Sequence, residues 1–456
     1  MKNLLAFRAF SVATALQSLY APLAQAIPNT HQSFEQWCLQ KDALPLETRK
    51  TIELMLNEAG TQDCKQANSK LNNLSKFKIS STLVHNHNIK DIAPMASLTN
   101  LKALDLSDNQ IVDIKPLENL KKLTALNLAG NQISNIRPLE SLTNLTELIL
   151  GLNQISDIRP LKSLTNLTTL WLPYDQISDL KPIENLSKLT NLSLTKNKIS
   201  DLKPLTGLAN LVEIDLAYNQ ITDIKPLMGL TNLTSLHIYK NHISSIESLS
   251  GLANLADLTI DQNQITDIKP LEGLTNLTSL WLSSNQIVDI KPLERLTNLT
   301  ALQLTSNRIV DIKPLERLTN LTDLWLSNNQ INDVRSLSSL TNLSGLGLDY
   351  NQISNIKPLK NLTNLTNLWL SNNQITDIKD LEGLTKLTYL KIDSNQISDV
   401  HHLVSLTNLE ELELDNNQIT DINTLAALKK LTSLSLSRNP IEIKVCPIKP
   451  VNVCSF

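Results

Sequence analysis

The hydrophobic positions from about residue 98 to residue 439 follow a repeat of 22 residues that never loses its register. The repeat reads L-x-x-L-x-L-x-x-N-x-I-x-x-I-x-P-L-x-x-L-x-x, and its first leucine recurs sixteen times, from Leu101 to Leu431. We number the positions of each repeat from 1 to 22, starting at that leucine. Positions 1 to 6 alternate like a short strand with the leucines inward. The pattern predicts one elongated solenoid, although 456 residues would usually suggest two or three globular domains.

Position 9 is asparagine in every repeat except one, where Asp175 replaces it. The asparagine follows the strand at a sharp turn, where a buried amide can satisfy backbone groups that would otherwise lack partners. Because aspartate has no NH₂ donor, we expect one hydrogen bond to be missing at Asp175, unless the carboxyl is protonated or the turn relaxes.

The second half of each repeat, such as QITDIKPLEGL, predicts 3₁₀ or extended turns on the outer side of the solenoid. Aspartate at position 13 and proline at position 16 both favour turns, and the proline forbids a continuing helix. We expect each aspartate to cap its own turn rather than to bind calcium. Proline is replaced at five sites, three of them near the C-terminal end: Ser248, Ser336, Asp380, His402 and Thr424.

The two ends of the chain depart from the repeat. Residues 1–26 combine early positive charges, an apolar stretch and an Ala-Gln-Ala site, which predicts a secretory signal peptide rather than an amphipathic helix. Residues 27–75 predict short helices, firmest from Leu46 to Ala59, that cover the open end of the first coil. Residues 76–97 form a degenerate first repeat before the array at 98–440, and residues 441–456 should seal the last coil.

Four cysteines flank the array, two at each end. Sixteen strands at about 4.8 Å spacing separate the ends by roughly 75 Å, whereas a disulfide needs Cα atoms within about 7 Å. The expected pairs are therefore Cys38 with Cys64 and Cys446 with Cys454, as suits an exported protein. Four free thiols in a cytosolic chain, or metal binding without histidine, are the alternatives.

The segment LTNLTSLWLSSNQIVDIKPLERL (274–296) and its neighbours resemble the 22-residue bacterial form of leucine-rich repeat, typified by internalins. The resemblance covers about three quarters of the chain. It implies an α/β solenoid that is curved and right-handed, with a parallel concave β-sheet that binds proteins. The caps differ from those of internalins: the WC…AGTQDC front cap resembles that of exported leucine-rich repeat proteins from cyanobacteria, and no immunoglobulin-like domain follows the repeats.

Every tryptophan and tyrosine of the array occupies an outward position of the strand or the turn just after it. The repeat does not require these aromatics, and such residues are common binding anchors. Gly345 and Gly347 leave a strand without side chains between Trp325 and Trp369, which predicts a slot for a flat ring, unless the indoles lean over and fill it. The predicted partner-binding residues are Trp171, Tyr174, Tyr218, His237, Tyr239, Trp281, Gln303, Trp325, Gly347, Tyr350, Trp369, Tyr389, Glu411 and Glu413.

Charge is uneven although the net charge is only −3. Positions 3, 5, 7 and 8 hold 13 acidic and four basic residues, which predicts an acidic concave face that attracts basic partners and repels nucleic acid. The alternative is acidity for solubility alone. The acidic residues are Asp105, Asp108, Glu147, Glu213, Asp215, Asp257, Asp261, Asp323, Asp349, Asp393, Glu411, Glu413 and Asp415.

The sequence assembles no catalytic constellation, cofactor site or membrane span. His401 and His402 lie on the outer side without a visible third ligand, so we expect no metal there. We expect an exported, monomeric, non-enzymatic protein that binds a protein or peptide. Glycan binding on the tryptophan platforms is the main alternative, and an intracellular scaffold or phosphatase-regulator type of repeat protein is a third.

Overall fold

The computed structural model describes residues 32–79 and 87–456. The expected signal peptide lies outside these residues. Three helices come first: α1 (Phe34–Leu39), α2 (Leu46–Ala59) and α3 (Cys64–Asn72). Ser33 and Gln36 form a capping box at the start of α1, and Gly60 ends α2 in a left-handed conformation with φ 62°. The predicted helical N-terminal cap is confirmed.

The helices bury their apolar side chains against the first coil. Trp37, Ile52, Leu56 and Leu71 are each at most 2% exposed, and they join the same apolar core as the leucines of the array. The Cys38–Cys64 disulfide ties α1 to the start of α3, with the Cα atoms 5.5 Å apart. This cap removes the apolar surface that the open end of a solenoid would otherwise expose.

The strands form one open, parallel sheet in which each strand pairs with the next along the chain. Within the array, the pairing joins each residue to the one 22 positions later, for example Leu302 with Leu324. The strands are β1 (Lys76–Lys78), β2 (Ala103–Asp105), β3 (Ala125–Asn127), β4 (Glu147–Ile149), β5 (Thr169–Trp171), β6 (Asn191–Ser193), β7 (Glu213–Asp215), β8 (Ser235–His237), β9 (Asp257–Thr259), β10 (Ser279–Trp281), β11 (Ala301–Gln303), β12 (Asp323–Trp325), β13 (Gly345–Gly347), β14 (Asn367–Trp369), β15 (Tyr389–Lys391), β16 (Glu411–Glu413), β17 (Ser433–Ser435) and β18 (Cys454–Ser455).

Each coil buries the apolar residues at positions 1, 4, 6, 11, 14, 17 and 20. In the coil that begins at Leu277 all seven are at most 1% exposed. A fully buried leucine or isoleucine stabilises the fold by about 1.5–3 kcal/mol relative to an exposed one, so the repeated core is the main source of stability. A coil buries this surface only against its neighbours, as in other solenoids.

The asparagine at position 9 bonds two successive coils together. The Nδ2 of Asn285 donates to the carbonyl of Leu282 in its own coil at 3.1 Å and to that of Ile260 in the preceding coil at 3.2 Å. Its Oδ1 accepts the N–H of Ile265 at 3.0 Å. The side chain is buried, so these bonds satisfy backbone groups that water does not reach.

The residue before each asparagine, at position 8, adopts the left-handed conformation in all sixteen repeats. In the fifteen repeats that another repeat follows, its N–H donates to the position 7 carbonyl of the next coil, as from Ser284 to Thr305 at 2.8 Å. Only one of these residues is glycine. The sixteen are Asp108, Gly130, Leu152, Tyr174, Lys196, Tyr218, Lys240, Gln262, Ser284, Ser306, Asn328, Tyr350, Asn372, Ser394, Asn416 and Arg438.

The convex side consists of short 3₁₀ helices, as the sequence predicts, with proline usually at their first turn. The position 13 carboxylate caps these turns: Asp267 Oδ1 accepts the N–H of Lys269 at 2.8 Å. At the C-terminal end β18 pairs with β17, and the Cys446–Cys454 disulfide ties β18 to the segment that precedes it. Both expected disulfides are therefore present. Among the described residues, no helix is long and apolar enough to span a membrane.

Asp175 keeps one half of the asparagine geometry and lacks the other. Its Oδ1 accepts the N–H of Ile155 at 2.8 Å, as an asparagine would. Its Oδ2 takes the place of the donor amide, is buried, and has no hydrogen-bond partner within the described ranges. Burial raises the pKa of this carboxyl to about 7, and the bond from Ile155 only partly offsets that effect.

We predict that Asp175→Asn stabilises the protein and makes its stability less dependent on pH. A carboxyl whose pKa is higher in the folded state contributes stability at low pH that is lost as pH rises through the folded value, here about 7. Thermal unfolding of the wild type and the variant at pH 5 and pH 8 should show the largest gain at pH 8, on the order of 2 kcal/mol.

Asn219→Asp provides the reverse change two coils away, at a residue that makes the complete set of asparagine bonds. It should lower stability and add the same loss towards high pH. The wild type also contains Asp261, whose pKa burial raises to about 6, so the comparison between variants carries the test. Parallel pH curves for the wild type and Asp175→Asn would contradict the assignment.

Candidate functional site

The predicted binding residues lie on the concave side, on the strands or in the turns directly after them. Trp171, Trp281, Trp325 and Trp369 end β5, β10, β12 and β14. Because pairing keeps equivalent positions opposite each other, Gly347 lies between Trp325 and Trp369 in one row across the sheet. The backbone thus aligns the outward side chains, and their identity alone distinguishes one part of the face from another.

The predicted slot between Trp325 and Trp369 is filled, and that prediction was wrong. The two indoles lean towards each other across Gly347 and meet edge to face, with ring centroids 4.8 Å apart and planes at 63°. A Cβ at Gly347 would lie 2.4 Å from Cε3 of Trp325, so the glycine is what allows the indole to lie over this strand. Edge-to-face packing of this kind adds about 0.5–1.5 kcal/mol beyond area burial.

Tyr389 extends the pair into an aromatic cluster, which we define as Trp325, Trp369 and Tyr389. The Trp369 and Tyr389 rings are 6.0 Å apart at 61°. The Tyr389 hydroxyl donates to Glu413 at 2.7 Å, and Lys391 lies 3.4 Å from the same carboxylate. Burial and the Glu413 carboxylate both raise the pKa of Tyr389, so the phenol stays neutral.

A groove of about 700 Å³ opens beside the aromatic cluster; we call it the C-terminal groove. Tyr350 forms one edge, is 59% exposed, and has a left-handed backbone with φ 52°. Most of the lining surface is apolar, with a smaller polar part, a common composition for a binding site. The groove is lined by Gln303, Thr305, Trp325, Ser327, Asn328, Asp349, Tyr350 and Trp369.

A second group of the predicted residues gathers towards the N-terminal half. Trp171, Tyr174 and His237 line a groove of about 430 Å³, which we call the N-terminal groove. His237 Nε2 lies 2.9 Å from the Ser235 hydroxyl and 3.4 Å from Asp257. The hydrogen bond with Asp257 raises the pKa of His237, and the same bond lowers that of the carboxyl.

A row of alternating tyrosine and lysine borders the N-terminal groove at position 8. Lys196 Nζ lies 4.7 Å from the ring centre of Tyr174, and Lys240 Nζ lies 4.3 Å from that of Tyr218. Lys240 also donates to the Tyr218 hydroxyl at 2.9 Å, and Tyr239 packs edge to face on Tyr218 at 5.3 Å. Sequence analysis missed this row, although the order Tyr, Lys, Tyr, Lys at position 8 of four successive repeats was visible.

Several of the acidic residues serve the backbone. At position 7, Asp349 accepts the N–H of Ser371 in the next coil at 2.8 Å, and Asp261 and Asp415 make the equivalent bond. At position 5, Asp105 and Asp215 cap the N–H two residues on. Burial raises the pKa values of Asp261 and Asp349. The acidic side chains that remain well exposed on this side are Asp108, Glu147, Glu213 and Glu411.

The structure therefore divides the fourteen predicted residues into two sites and outliers. Gln303, Trp325, Tyr350 and Trp369 line the C-terminal groove, and Tyr389 and Glu413 adjoin them. Gly347 is not among the lining residues and lies under the Trp325 indole. Trp171, Tyr174 and His237 line the N-terminal groove, with Tyr218 and Tyr239 at its border. Trp281, 39% exposed, and Glu411 line neither groove.

Comparison with known proteins places this geometry in a family. The profile described as "Leucine Rich repeats (2 copies)" matches eleven segments between residues 99 and 445. No curated protein matches the sequence.

Solved structures with the same solenoid come from bacteria and plants. An internalin (inlF) from Listeria monocytogenes is 34% identical over 75% of this chain and 94% of its own, with a TM-score of 0.63. A leucine-rich repeat protein of Leptospira interrogans is 27% identical over 85% of this chain and 96% of its own, with a TM-score of 0.69.

The ectodomain of the Arabidopsis receptor kinase HAESA, solved with an IDA peptide hormone ligand, is 25% identical. The match covers 76% of this chain and 67% of that one, with a TM-score of 0.59. The repeat profile across the array and the match to a whole internalin lead to one conclusion: the chain belongs to the leucine-rich repeat family, as an internalin-like bacterial member.

Proposed function

We propose that the protein is exported and, without catalysis, binds a protein or peptide in the C-terminal groove of its concave face. One observation carries the proposal: Trp325, Trp369 and Tyr350 surround an open, largely apolar groove on a rigid sheet. Tryptophan and tyrosine bury a large area with few rotatable bonds, so their ordering on binding loses little entropy.

The closed slot favours a polypeptide over a glycan in this groove. A sugar stacks on an exposed indole face, but Trp325 and Trp369 use their faces and edges on each other. The pair instead presents a ridge beside the groove, against which an apolar side chain can pack. Trp171 and Trp281, 44% and 39% exposed, keep more free surface and are the residues on which the glycan alternative rests.

The electrostatics favour a partner with basic groups near its apolar anchor. Asp349 lines the groove, and Glu411 and Glu413 lie on β16, next to the strand that carries Tyr389. Since Asp349 and Glu413 already accept hydrogen bonds within the protein, Glu411 is the most available carboxylate. Long-range attraction of a basic peptide would raise its association rate and weaken with added salt.

The cysteines of the two caps support export. Both disulfides join cysteines that are close in the cap structures, and the described residues contain no free cysteine. Such bonds persist in oxidising compartments and are rare in the cytosol.

The peptide complex of the HAESA ectodomain gives a precedent for peptide recognition by a solenoid of this kind.

Selection from a random peptide library tests the proposal. We predict that the immobilised wild type enriches peptides that combine aromatic or aliphatic residues with lysine or arginine. Trp325→Ala together with Trp369→Ala should weaken binding of the selected peptides about thirtyfold or more, equivalent to about 2 kcal/mol, because both anchors are lost.

Trp171→Ala together with Trp281→Ala is the matched control, since it removes two concave indoles outside the C-terminal groove. Equal losses in both double variants would contradict the choice of groove. Binding to a glycan array, with no enriched peptide, would favour the alternative.

We predict that Gly347→Ala displaces the Trp325 indole, because the new Cβ would overlap Cε3. The near-ultraviolet circular dichroism of the paired indoles should fall, stability should drop by about 1–3 kcal/mol, and peptide binding should weaken. Gly229→Ala is the control, since a Cβ there meets no atom within 4 Å. Unchanged spectra in the Gly347 variant would show that the indoles do not depend on this glycine.

A further inference from the structure

The convex side changes character in one coil near the C-terminal end. Most coils carry Asp-x-Lys-Pro or Asp-x-Arg-Pro at positions 13 to 16, but here Asp399 is followed by Val400, His401 and His402. The two histidines thus replace the basic residue and the proline together. The preceding coil also lacks the proline, with Asp380 at that position.

The structure gathers the three polar side chains of this turn. His401 begins the 3₁₀ helix His401–Ser405, and its ring lies 3.7 Å from that of His402, centre to centre. Asp399 Oδ2 is 2.6 Å from Nδ1 of His401. One donor atom from each of the three residues lies within 4.8 Å of the others. The expectation that the histidine pair has no third ligand was therefore wrong.

A fourth side chain, the carboxylate of Glu382, approaches from the neighbouring coil. Glu382 Oε2 lies 3.8 Å from His402 Nδ1, and its side chain is 64% exposed and free to move closer. The cluster of Asp399, His401, His402 and Glu382, which we call the histidine cluster, therefore joins two successive turns of the solenoid.

We propose that the histidine cluster binds a divalent transition metal ion, with Zn²⁺ as the best-matched ion. Two imidazoles and one or two carboxylates are a common Zn²⁺ ligand set, whereas Ca²⁺ and Mg²⁺ prefer oxygen ligands alone. Tetrahedral coordination at roughly 2.1 Å puts neighbouring ligand atoms about 3.4 Å apart. Small side-chain rotations that move each donor atom by about an ångström bring the three donor atoms to that spacing.

The turn of the repeat holds the Asp399 carboxylate in an orientation suited to binding a metal ion. Its Oδ1 accepts the backbone N–H of His401 at 3.0 Å, which fixes the carboxylate and leaves Oδ2 directed at the side chain two residues on. In three other coils the corresponding Oδ2 holds a cation: that of Asp157 contacts Arg159 at 2.7 Å, that of Asp333 contacts Arg335 at 2.6 Å, and that of Asp377 contacts Lys379 at 2.6 Å. Where histidines replace the basic residue and proline, the same carboxylate can hold a metal cation instead.

Titration of the full-length protein with Zn²⁺, followed by calorimetry, tests the site. We expect one equivalent to bind to the wild type, and Ca²⁺ or Mg²⁺ not to compete. His401→Lys combined with His402→Pro restores the common repeat sequence, so it should fold normally and lose this equivalent.

Asp399→Asn removes the charge and keeps the backbone cap, because Asn135 and Asn355 already cap their turns at this position. It should weaken Zn²⁺ binding by at least about tenfold, since even outer-shell partners of a metal site are worth that much. Glu382→Gln should weaken binding as well; unchanged affinity would remove Glu382 from the ligand set.

Two controls make the test specific. Asp333→Asn changes the equivalent carboxylate three coils earlier, which partners arginine, and His242→Asn removes an exposed histidine outside the cluster. Both should bind Zn²⁺ like the wild type and gain the same increase in Tm when it is added. Equal binding by the wild type and the His401→Lys, His402→Pro variant, or no binding by the wild type, would overturn the proposal.

Discussion

The asparagine at position 9 is the constraint on which the remaining structure depends. Its amide bridges two coils: Asn329 donates to carbonyls of its own and the preceding coil, and it accepts the N–H of Ile309. No apolar residue could satisfy these buried groups, and leaving each unpaired costs about 1–3 kcal/mol. The turn that serves these bonds puts position 8 in the left-handed region, although fifteen of the sixteen residues there carry a Cβ. A residue with a Cβ in the left-handed region costs on the order of 1 kcal/mol in backbone strain. The hydrogen bonds of the turn offset this cost, so the position does not require glycine.

The same constraint gives every coil the same backbone on the concave face, so the coils differ there only in their outward side chains. Because every coil ends its strand in the same way, the outward positions form straight rows across the sheet, and a large residue in one coil meets whatever occupies that row in the next. Trp325 can lean because Gly347 follows it, and Tyr218 can carry a cation because Lys240 follows it. The local surface of the concave face is therefore set by pairs of residues 22 positions apart, each pair held on a fixed backbone.

The features that recur in every coil could be predicted from the sequence, whereas the contacts between particular side chains of neighbouring coils could not. Strands, turns, the asparagine bonds and the cap disulfides follow from spacing, because the 22-residue register and the reach of a disulfide leave few alternatives. The tilt of Trp325 depends on a rotamer choice that the repeat does not determine. The same holds for Asp261 and Asp349, whose carboxylates accept backbone N–H groups. These two residues therefore serve the fold and add less than expected to the acidic charge of the concave face. Asp175 lies between these cases: the missing donor was predictable from the residue type, whereas the burial that raises its pKa to about 7 depends on how the neighbouring coils pack around it.

The carboxylates on the two sides of the solenoid differ in burial and in hydrogen-bond partners, and their pKa values therefore shift in opposite directions. On the concave side, Asp261 and Asp349 are buried at strand ends, where desolvation raises their pKa values. On the convex side, Asp157, Asp377 and Asp399 are exposed, and bonds from the residue two positions on lower theirs. A convex carboxylate of this kind therefore keeps its charge and can pair with a cation in the next turn, while the buried concave carboxylates Asp261 and Asp349 already accept a backbone N–H. For this reason the recognition proposed for the concave side rests mainly on aromatic rings and a few exposed glutamates, and the ion site proposed for the convex side needs a change of only two residues in the repeat.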